Sequence, residues 1–249
     1  MSAEWLIETD LPRCEIEEFL RQHAPWRTNV RFSNGLQSFD FGKTEPANDR
    51  PLGKLNMIRS AVPAAALAGD VLDIGHNIGY NSVALATQHG AKVVGIDYNP
   101  RHQIVARWLA AAAGATASFA QGDAETWVRP GCFDFVLHFG TLYHLRNPLL
   151  SIQTAIENLR PGGYLALETV AYVGPGAERN LNKWIYGFNG DKTNYWALAK
   201  PTIEEVLAVA GAADIRLLRE AAMPIYDGEM SRVVYLARKQ WRPALGPSS

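Results

Sequence analysis

The stretch VLDIGHNIGYNS, residues 71–82, carries the clearest indication of how this chain folds. An apolar run with one acid is followed by Gly75 and Gly79 and then by a segment with helical spacing. This order predicts a buried strand, a tight turn and a helix, and glycines in such a turn let the backbone approach a ligand closely. Asn77 and Tyr80 stand where the dinucleotide pattern G-x-G-x-x-G requires its second and third glycines. The turn therefore indicates a nucleotide-type site that does not hold NAD.

Strand and helix patterns alternate after this turn. Further strands are predicted at 92–97, 117–123, 133–140 and 164–170, and helices at 80–90, 100–114, 148–160 and 201–211. Such alternation predicts an α/β fold with a doubly wound, mostly parallel sheet. Two strand patterns, 215–220 and 232–239, follow with no helix between them, so we expect a C-terminal antiparallel hairpin.

The organisation of the chain follows from the same patterns. The predicted parts are an N-terminal appendage or cap at 1–60, a ligand-binding domain at 61–240, a lid within it at 171–200, and a disordered tail at 241–249. The lid is expected because a long irregular segment inside a compact domain is usually a lid or a binding loop. In the appendage we expect helices at 15–24 and 54–62, and a hairpin at Asn34-Gly35.

Composition excludes several classes of function. The chain has 249 residues, 47% of them hydrophobic, and a formal net charge of -1, so no strong overall field attracts nucleic acid or an acidic membrane. Its two cysteines, Cys14 and Cys132, are too few and too far apart for a disulfide framework, and no cluster has metal-ligand spacing. No apolar run is long enough to span a bilayer and the first residues lack a signal-peptide pattern, so we expect a cytoplasmic protein without membrane association.

The strand ends carry residues suited to an adenosyl group. Asp97 ends the second strand, where a carboxylate can accept the hydroxyls of a ribose. In the acid-x-Gly-x-Gly-x-Gly pattern Asn77 replaces the middle glycine, and asparagine tolerates the left-handed conformation. Together with GDAE at 122–125 and LRPGG at 159–163, these features resemble class I S-adenosylmethionine (SAM) methyltransferases over roughly residues 65–239. The resemblance implies their Rossmann-like fold and these cofactor-binding residues: Asp73, Gly75, His76, Asn77, Gly79, Asp97, Tyr98, Asp123, Ala124 and Glu125.

A closer resemblance is found in HFGTLYHLRNPLLSI, residues 138–152. It is similar to the Gly-x-Leu-Tyr-His-x-Arg-x-Pro-Leu run of the tRNA wobble-uridine carboxymethyltransferase family, whose later segments LRPGGYLALET and SRVVYLARK match as well. The resemblance implies that Lys54 and Phe139 contact the cofactor, and that Tyr143 and Arg232 hold the carboxylate of carboxy-SAM. A family tryptophan before the lysine has no counterpart in TEPANDRP, and the N-terminal region is much shorter than in that family. We therefore expect plain SAM rather than carboxy-SAM as the cofactor.

Three candidates for the chemistry and its positioning are Tyr143, His144 and Arg232. Histidine is the side chain best suited to proton transfer near neutral pH, so His144 is either a general base or a structural histidine that caps its loop. Strand alternation predicts Arg232, Val234 and Leu236 on one face of the last strand. The aromatic residues of 171–200 either close over a substrate or pack the lid onto the core.

The sequence favours a SAM-dependent methyltransferase that moves a methyl group to a small-molecule acceptor by in-line displacement. One alternative is a tRNA wobble-uridine carboxymethyltransferase that uses carboxy-SAM, with tRNA as its partner. The other is a catalytically silent SAM-binding protein. The sequence does not distinguish the acceptor or the atom that is methylated.

Overall fold

The computed structural model describes residues 5–223 and 228–240. The helices are α1 Arg13–Gln22, α2 Gly53–Ile58, α3 Ala64–Leu67, α4 Tyr80–His89, α5 Pro100–Ala112, α6 Pro148–Asn158 and α7 Lys200–Val209. The strands are β1 Trp26–Thr28, β2 Lys43–Asn48, β3 Asp70–Ile74, β4 Lys92–Asp97, β5 Ala117–Gln121, β6 Phe133–Phe139, β7 Leu159–Tyr172, β8 Lys183–Trp184, β9 Trp196–Ala199, β10 Ala212–Met223 and β11 Met230–Lys239. The predicted disordered tail at 241–249 lies outside the described residues.

The central sheet has the predicted doubly wound arrangement. Its strand order is β10-β11-β7-β6-β3-β4-β5, in which β3 to β7 run parallel. Strand β11 lies antiparallel to both β7 and β10, which is the predicted C-terminal hairpin. The carboxyl ends of β3, β4, β5 and β6 therefore meet at one edge of the sheet, where ligands bind in open α/β folds. The predicted fold class is confirmed.

Apolar side chains cover both faces of the sheet, as the strand period requires. In β11, Val234 and Leu236 belong to the core cluster under α4 and α5, whereas Val233 and Tyr235 belong to the cluster under α6 and α7. The predicted alternation in this strand is therefore correct. It places Arg232, two residues before Val234, on the face of the sheet that carries α4 and α5.

The N-terminal segment packs on the helices of the same face. Phe19 of α1 stacks on Trp108 of α5 with ring centroids 3.8 Å apart, and Phe32 meets the same indole edge-on. Buried residues of this segment, including Ile7 and Leu20, share one hydrophobic cluster with α4 and α5. The boundary of the appendage at residue 60 stays a prediction.

The expected hairpin at Asn34-Gly35 is present but short. One bridge joins Arg31 and Gln37, and the chain then enters a 3-10 helix at Ser38–Phe41. The Ser38 hydroxyl accepts the Val30 N–H at 2.9 Å and donates to the Thr28 carbonyl at 3.0 Å. Backbone bonds also join the two arms, from the Phe32 N–H to the Leu36 carbonyl and from the Ser38 N–H to the Val30 carbonyl, each at 2.9 Å.

The expected lid contains more structure than its composition predicts. Strand β7 extends to Tyr172, and the short β8 pairs antiparallel with β9. Strand β9 pairs in turn with the end of β7 in parallel. These pairings join residues 183–184 and 196–199 to the central sheet, and the role of the segment as a lid stays a prediction. No helix of the described chain is long and apolar enough to cross a membrane.

Candidate functional site

The glycine turn follows β3 and adopts left-handed backbone conformations. The φ angles are 72° at Gly75, 52° at Asn77 and 75° at Gly79, so asparagine does take the conformation of the replaced glycine. A Cβ on Gly75 would lie 2.0 Å from the Thr141 hydroxyl, and one on Gly79 2.7 Å from the Ala106 side chain. Both glycines are therefore required by close packing as well as by their φ angles.

The N–H groups of the turn are bonded inside the protein. Gly75 donates to the Ile96 carbonyl at 2.8 Å, Gly79 to the His76 carbonyl at 2.8 Å, and Asn77 to the Asp97 carboxylate at 2.9 Å. A diphosphate bound at a helix N-terminus needs several free N–H groups. This turn offers few, which favours a ligand held by side chains and supports the expected exclusion of NAD.

Asp97 ends β4 and fixes the turn. Its Oδ2 accepts the Asn77 N–H, while its Oδ1 accepts the Asn99 N–H at 2.8 Å and lies 3.1 Å from His102 Nδ1. Burial alone would raise the pKa of Asp97, but these bonds and the charge of His102 outweigh it and lower the pKa. A carboxylate has about four acceptor positions, so one remains on Oδ2 for a ribose hydroxyl. A second ribose bond would have to displace His102.

Asp73 and His76 lie beneath the turn. The Ser82 hydroxyl donates to Asp73 Oδ2 at 2.6 Å, and burial raises the pKa of Asp73 to about 6. The His76 ring packs against Phe119 at 4.7 Å, and burial lowers the pKa of His76 to about 4. Both side chains are buried, so they support the turn from below. Their predicted contact with a cofactor stays a prediction.

Two of the predicted residues near the ends of β4 and β5 are open to solvent. The Tyr98 side chain, directly after Asp97, is 79% exposed. The Asp123 side chain is exposed as well, and one of its oxygens accepts the Glu125 N–H at 2.9 Å. Both side chains remain available to an adenosyl group at this edge of the sheet.

The other two predicted residues of this region join β5 to α6. Glu125 accepts the N–H groups of Arg146 and Asn147, each at 2.9 Å. The buried Ala124 offers its carbonyl to the Ser151 hydroxyl at 2.9 Å. These bonds fix the loop that begins with Tyr143 and His144, so Glu125 positions that loop whether or not it also contacts a ligand.

Lys54, Tyr143 and Arg232 meet at one place, although they are far apart in sequence. Lys54 Nζ lies 2.7 Å from Glu168 Oε2, and Arg232 Nη1 lies 2.9 Å from Glu168 Oε1. The same Arg232 nitrogen is 3.4 Å from the Tyr143 hydroxyl, and its guanidinium lies over the tyrosine ring. We call these four residues the Glu168 cluster. Their arrangement agrees with the expectation that they act together, and their contact with a ligand stays a prediction.

Sequence reasoning missed Glu168, which is the centre of the cluster. The available signal was one acid in LALETV, a stretch that is otherwise uncharged and buried. Burial alone would raise the pKa of Glu168, but the cations of Lys54 and Arg232 outweigh it and hold the pKa below its usual value. Two positive groups surround one negative group, so one positive charge is in excess.

The Glu168 cluster lies beside the glycine turn. A Cβ on Gly140 would come within 3.0 Å of Lys54 Nζ and within 3.5 Å of the Tyr143 hydroxyl. Thr141 follows Gly140 and touches Gly75 of the turn. Phe139, the predicted apolar contact, ends β6 and is buried in the adjoining core. Turn and cluster therefore border one continuous region at the carboxyl ends of β3 and β6.

His144 is held by the segment that follows β8. Its Nδ1 lies 2.9 Å from the Thr193 hydroxyl and 3.2 Å from the Thr193 carbonyl, and that hydroxyl in turn donates to Asp191 at 2.6 Å. Nδ1 therefore carries the proton and Nε2 the free electron pair. Burial lowers the pKa of His144, so the ring is neutral near pH 7 and can accept a proton.

Among the described residues, no group of His, Cys, Asp and Glu could hold a metal ion.

The sheet topology and the glycine turn define a doubly wound α/β domain with its candidate site at the carboxyl ends of the parallel strands. The profile of a family described as "Methyltransferase domain" matches residues 50–216, and the chain belongs to this family. The resemblance to class I SAM-dependent methyltransferases is thereby confirmed.

Curated relatives carry more than one activity in their names. The chain is 30% identical over 212 residues to a tRNA U34 carboxymethyltransferase of Methylococcus capsulatus, covering 83% of this chain and 61% of the relative. It is 36% identical over 126 residues to a ubiquinone biosynthesis O-methyltransferase of Pseudomonas aeruginosa, covering 49% of this chain and 54% of the relative. The chain spans about half to three-fifths of the length of these relatives.

A solved structure shares the fold over almost the whole chain. It is the N-terminal domain of EvdMO1, determined in the presence of SAH and D-fucose, with a TM-score of 0.71 at 20% identity. The match covers 92% of this chain and 98% of that domain. The likeness therefore extends beyond the central sheet and its helices into the N-terminal segment.

Proposed function

We propose that this chain is a SAM-dependent methyltransferase acting on a small-molecule acceptor. The observation that carries the proposal is the position of the Glu168 cluster and His144 beside the glycine turn. Family membership supports methyl transfer, and the names of the relatives include both a methyl and a carboxymethyl transferase.

The residues present fit SAM. Asp97 stays ionised with one acceptor position free for a ribose hydroxyl, and the exposed ring of Tyr98 lies next to it. The excess positive charge of the Glu168 cluster suits the carboxylate of the methionine part. When bound, SAM supplies an electrophilic methyl group on a sulfonium.

The chain's own residues orient the reactants and move one proton. Fixing two reactants in line is worth roughly 7–11 kcal/mol of the barrier. The acceptor is oriented by the loop of Tyr143 and His144, which Glu125 and Thr193 hold in place. As the acceptor oxygen bonds to the methyl carbon, its proton passes to His144 Nε2, which has the free electron pair.

The charge balance at Glu168 favours a ligand with one carboxylate, but LRPGGYLALET, which contains Glu168, also matches the carboxymethyltransferase family, so the preference for plain SAM rests on the charge argument alone. Carboxy-SAM brings an additional carboxylate that requires its own cations. Lys54 and Arg232 each already pair with Glu168, and one positive charge remains for one carboxylate of the ligand. SAM has one carboxylate and carboxy-SAM has two.

Titration calorimetry of the purified protein tests the cofactor proposal. We expect SAM and its demethylated product to bind, and carboxy-SAM to bind no more tightly than SAM. Product formation from labelled SAM across a panel of hydroxylated acceptors tests turnover. Binding of SAM without turnover on any acceptor would favour the silent SAM-binding alternative.

The second candidate is carboxymethyl transfer to tRNA. It is favoured by the similarity to the Methylococcus relative and by the meeting of Lys54, Tyr143 and Arg232, the three positions implied by that family. The overall charge of -1 argues against it, because tRNA binding draws on a broad positive field. Carboxy-SAM binding at least ten-fold tighter than SAM, which is about 1.4 kcal/mol, would replace the first proposal by this one.

A further inference from the structure

Four aromatic side chains form one surface beside the site. Ring centroids of Trp184, Tyr186 and Tyr195 lie 5.6–6.3 Å apart, with interplanar angles between 13° and 37°. Trp196 supports Trp184 edge-on at 4.8 Å. The Trp184 and Tyr186 side chains are 54% and 55% exposed. We call these four residues the aromatic platform.

The platform is exposed although its backbone is firmly held. Trp184 in β8 faces Trp196 in β9, and the Ile185 N–H donates to the Tyr195 carbonyl at 2.8 Å. Ile185 itself is buried, and β9 is joined to the central sheet. Contiguous exposed apolar surface on an ordered element is typical of a binding site.

The platform adjoins the proposed base. The Tyr195 N–H donates to the Tyr143 carbonyl at 2.8 Å, and Thr193, two residues before Tyr195, bonds to His144. A ring stacked on the platform therefore lies beside the loop that carries His144.

The charge around the platform is positive. Arg146, two residues after His144, places its guanidinium 6.0 Å from the Tyr195 ring and forms no ion pair in the described part of the chain. Lys192 is exposed in the same segment. Arg27 is close enough to act electrostatically on both His144 and Asp191. Asp191 lies near Arg27, and it already accepts the bond from Thr193.

We propose that the aromatic platform and Arg146 bind the acceptor, and that the acceptor is a planar aromatic ring bearing a hydroxyl and an anionic substituent. The ring stacks on Trp184, Tyr186 and Tyr195, which is favourable in offset geometry. The anionic group pairs with Arg146, whose planar fork suits a carboxylate or a phosphate. This inference rests on the proposed methyl transfer and names its substrate class.

The reaction balances without any further reactant. An O–CH₃ bond forms on the ring hydroxyl while the S–CH₃ bond of the sulfonium breaks, and the electron pair of that bond stays on sulfur. The hydroxyl proton passes to His144 Nε2. The products are the aryl methyl ether, the thioether and the protonated histidine, which returns its proton to water.

Calorimetry with the demethylated cofactor at saturation tests the inference, with 4-hydroxybenzoate, 3,4-dihydroxybenzoate and salicylate as probes. At least one should bind the wild-type protein. Trp184→Ala and Tyr186→Ala should each weaken it by roughly five-fold or more. Arg146→Gln should weaken binding of the acid and leave that of the matching neutral benzamide unchanged. Val209→Ala, at an exposed position of α7, should bind as the wild type.

The two proposals fail in different ways. Absence of cofactor binding by the wild type would overturn the proposed function itself. If the cofactor binds normally, only the inference on the acceptor is overturned when no aromatic acid binds, or when Trp184→Ala, Tyr186→Ala and Arg146→Gln all bind like the wild type. A single-stranded RNA oligomer that binds at the platform in place of the acids would also overturn it, and would favour the tRNA candidate. A saturated cyclohexane acid that binds equally well would contradict recognition by stacking.

Discussion

Glu168 decides the electrostatics of the site at the scale of single residues. Its side chain is 3% exposed, whereas those of Lys54 and Arg232 are 37% and 36% exposed. Glu168→Gln keeps the shape but leaves two cations without their partner. We expect the free energy of unfolding to fall by roughly 1–3 kcal/mol, because the cations still reach water. The change should also raise the affinity for carboxy-SAM relative to SAM at least ten-fold, which competition calorimetry measures. An unchanged ratio would mean that Glu168 does not select the cofactor.

Asp97 fixes the turn and is predicted to bind the ribose, and two substitutions remove these functions to different degrees. Asp97→Ala removes both the ribose acceptor and the bond that fixes the Asn77 N–H. Asp97→Asn retains one oxygen acceptor, but its NH₂ group repels the hydrogen-bond donor that faces the second carboxylate oxygen in the wild type. We expect the alanine variant to bind the demethylated cofactor more weakly by roughly 1.5–3 kcal/mol per lost charge-assisted bond, and the asparagine variant to lie between it and the wild type. Wild-type affinity in a folded alanine variant would remove Asp97 from the cofactor site.

Asp73 predicts a dependence of stability on pH. Burial raises the pKa of Asp73 from 3.8 to about 6 in the folded chain. Because the folded pKa lies above the unfolded one, the neutral carboxyl stabilises the fold below about pH 4, and this contribution is lost as the pH rises through about 6. Asp73→Asn stays neutral and still accepts the Ser82 hydroxyl. Its stability relative to the wild type should therefore increase as the pH rises from 4 to 6. Above about pH 6 this gain should level off at on the order of 3 kcal/mol.

Urea unfolding from pH 4 to 8 measures this gain. Asp123→Asn, on an exposed carboxylate, is the matched control and should follow the wild type. If the free energies of unfolding of Asp73→Asn and the wild type differ by a constant amount from pH 4 to 8, the raised pKa of Asp73 is contradicted.

At the scale of elements, most strands and helices were predictable because their signals are local. The period of two in SRVVYLARK placed Val234 and Val233 on opposite faces of β11, as observed. Strands β8 and β9 were not predicted, because their own residues show no strand pattern. They are strands because they pair with each other and because β9 pairs with β7. Likewise, the pairing of Glu168 with Lys54 joins residues that no local pattern connects. The strand-end residues and the meeting of Lys54, Tyr143 and Arg232 were therefore predictable, the latter from the family resemblance, whereas Glu168 between them was missed.

The segment after β8 positions the proposed base, and one hydroxyl tests this. Thr193→Val removes the hydroxyl that lies 2.9 Å from His144 Nδ1 and keeps the shape of the side chain. The turnover number should fall by roughly ten-fold, or about 1.4 kcal/mol, with little change in KM, because the ring is less well oriented. The rate should rise with pH through the pKa of His144, which burial holds below 6.5, and be level near pH 7.

Replacement of the base itself should remove this pH dependence. His144→Gln is expected to lose the acid-side limb of the profile along with most of the rate. Thr193→Ser, which restores a hydroxyl, should recover the wild-type rate. A Thr193→Val variant with normal turnover would leave His144 as a structural residue of its loop.

At the scale of the whole molecule, the question is whether the N-terminal segment is a separate unit. Leu20 is fully buried in the cluster that also contains Val83 of α4 and Leu109 of α5, so one core crosses the predicted boundary at residue 60. If the segment folds together with the sheet, Leu20→Ala should lower the stability of the entire chain by about 2–5 kcal/mol. Unfolding should then remain one transition whether it is followed by the circular dichroism of the helices or by tryptophan fluorescence. Glu18→Ala, on the exposed side of the same helix, should change the stability by less than about 0.5 kcal/mol. Two separate transitions, of which only the weaker one responds to Leu20→Ala, would show an independent N-terminal domain.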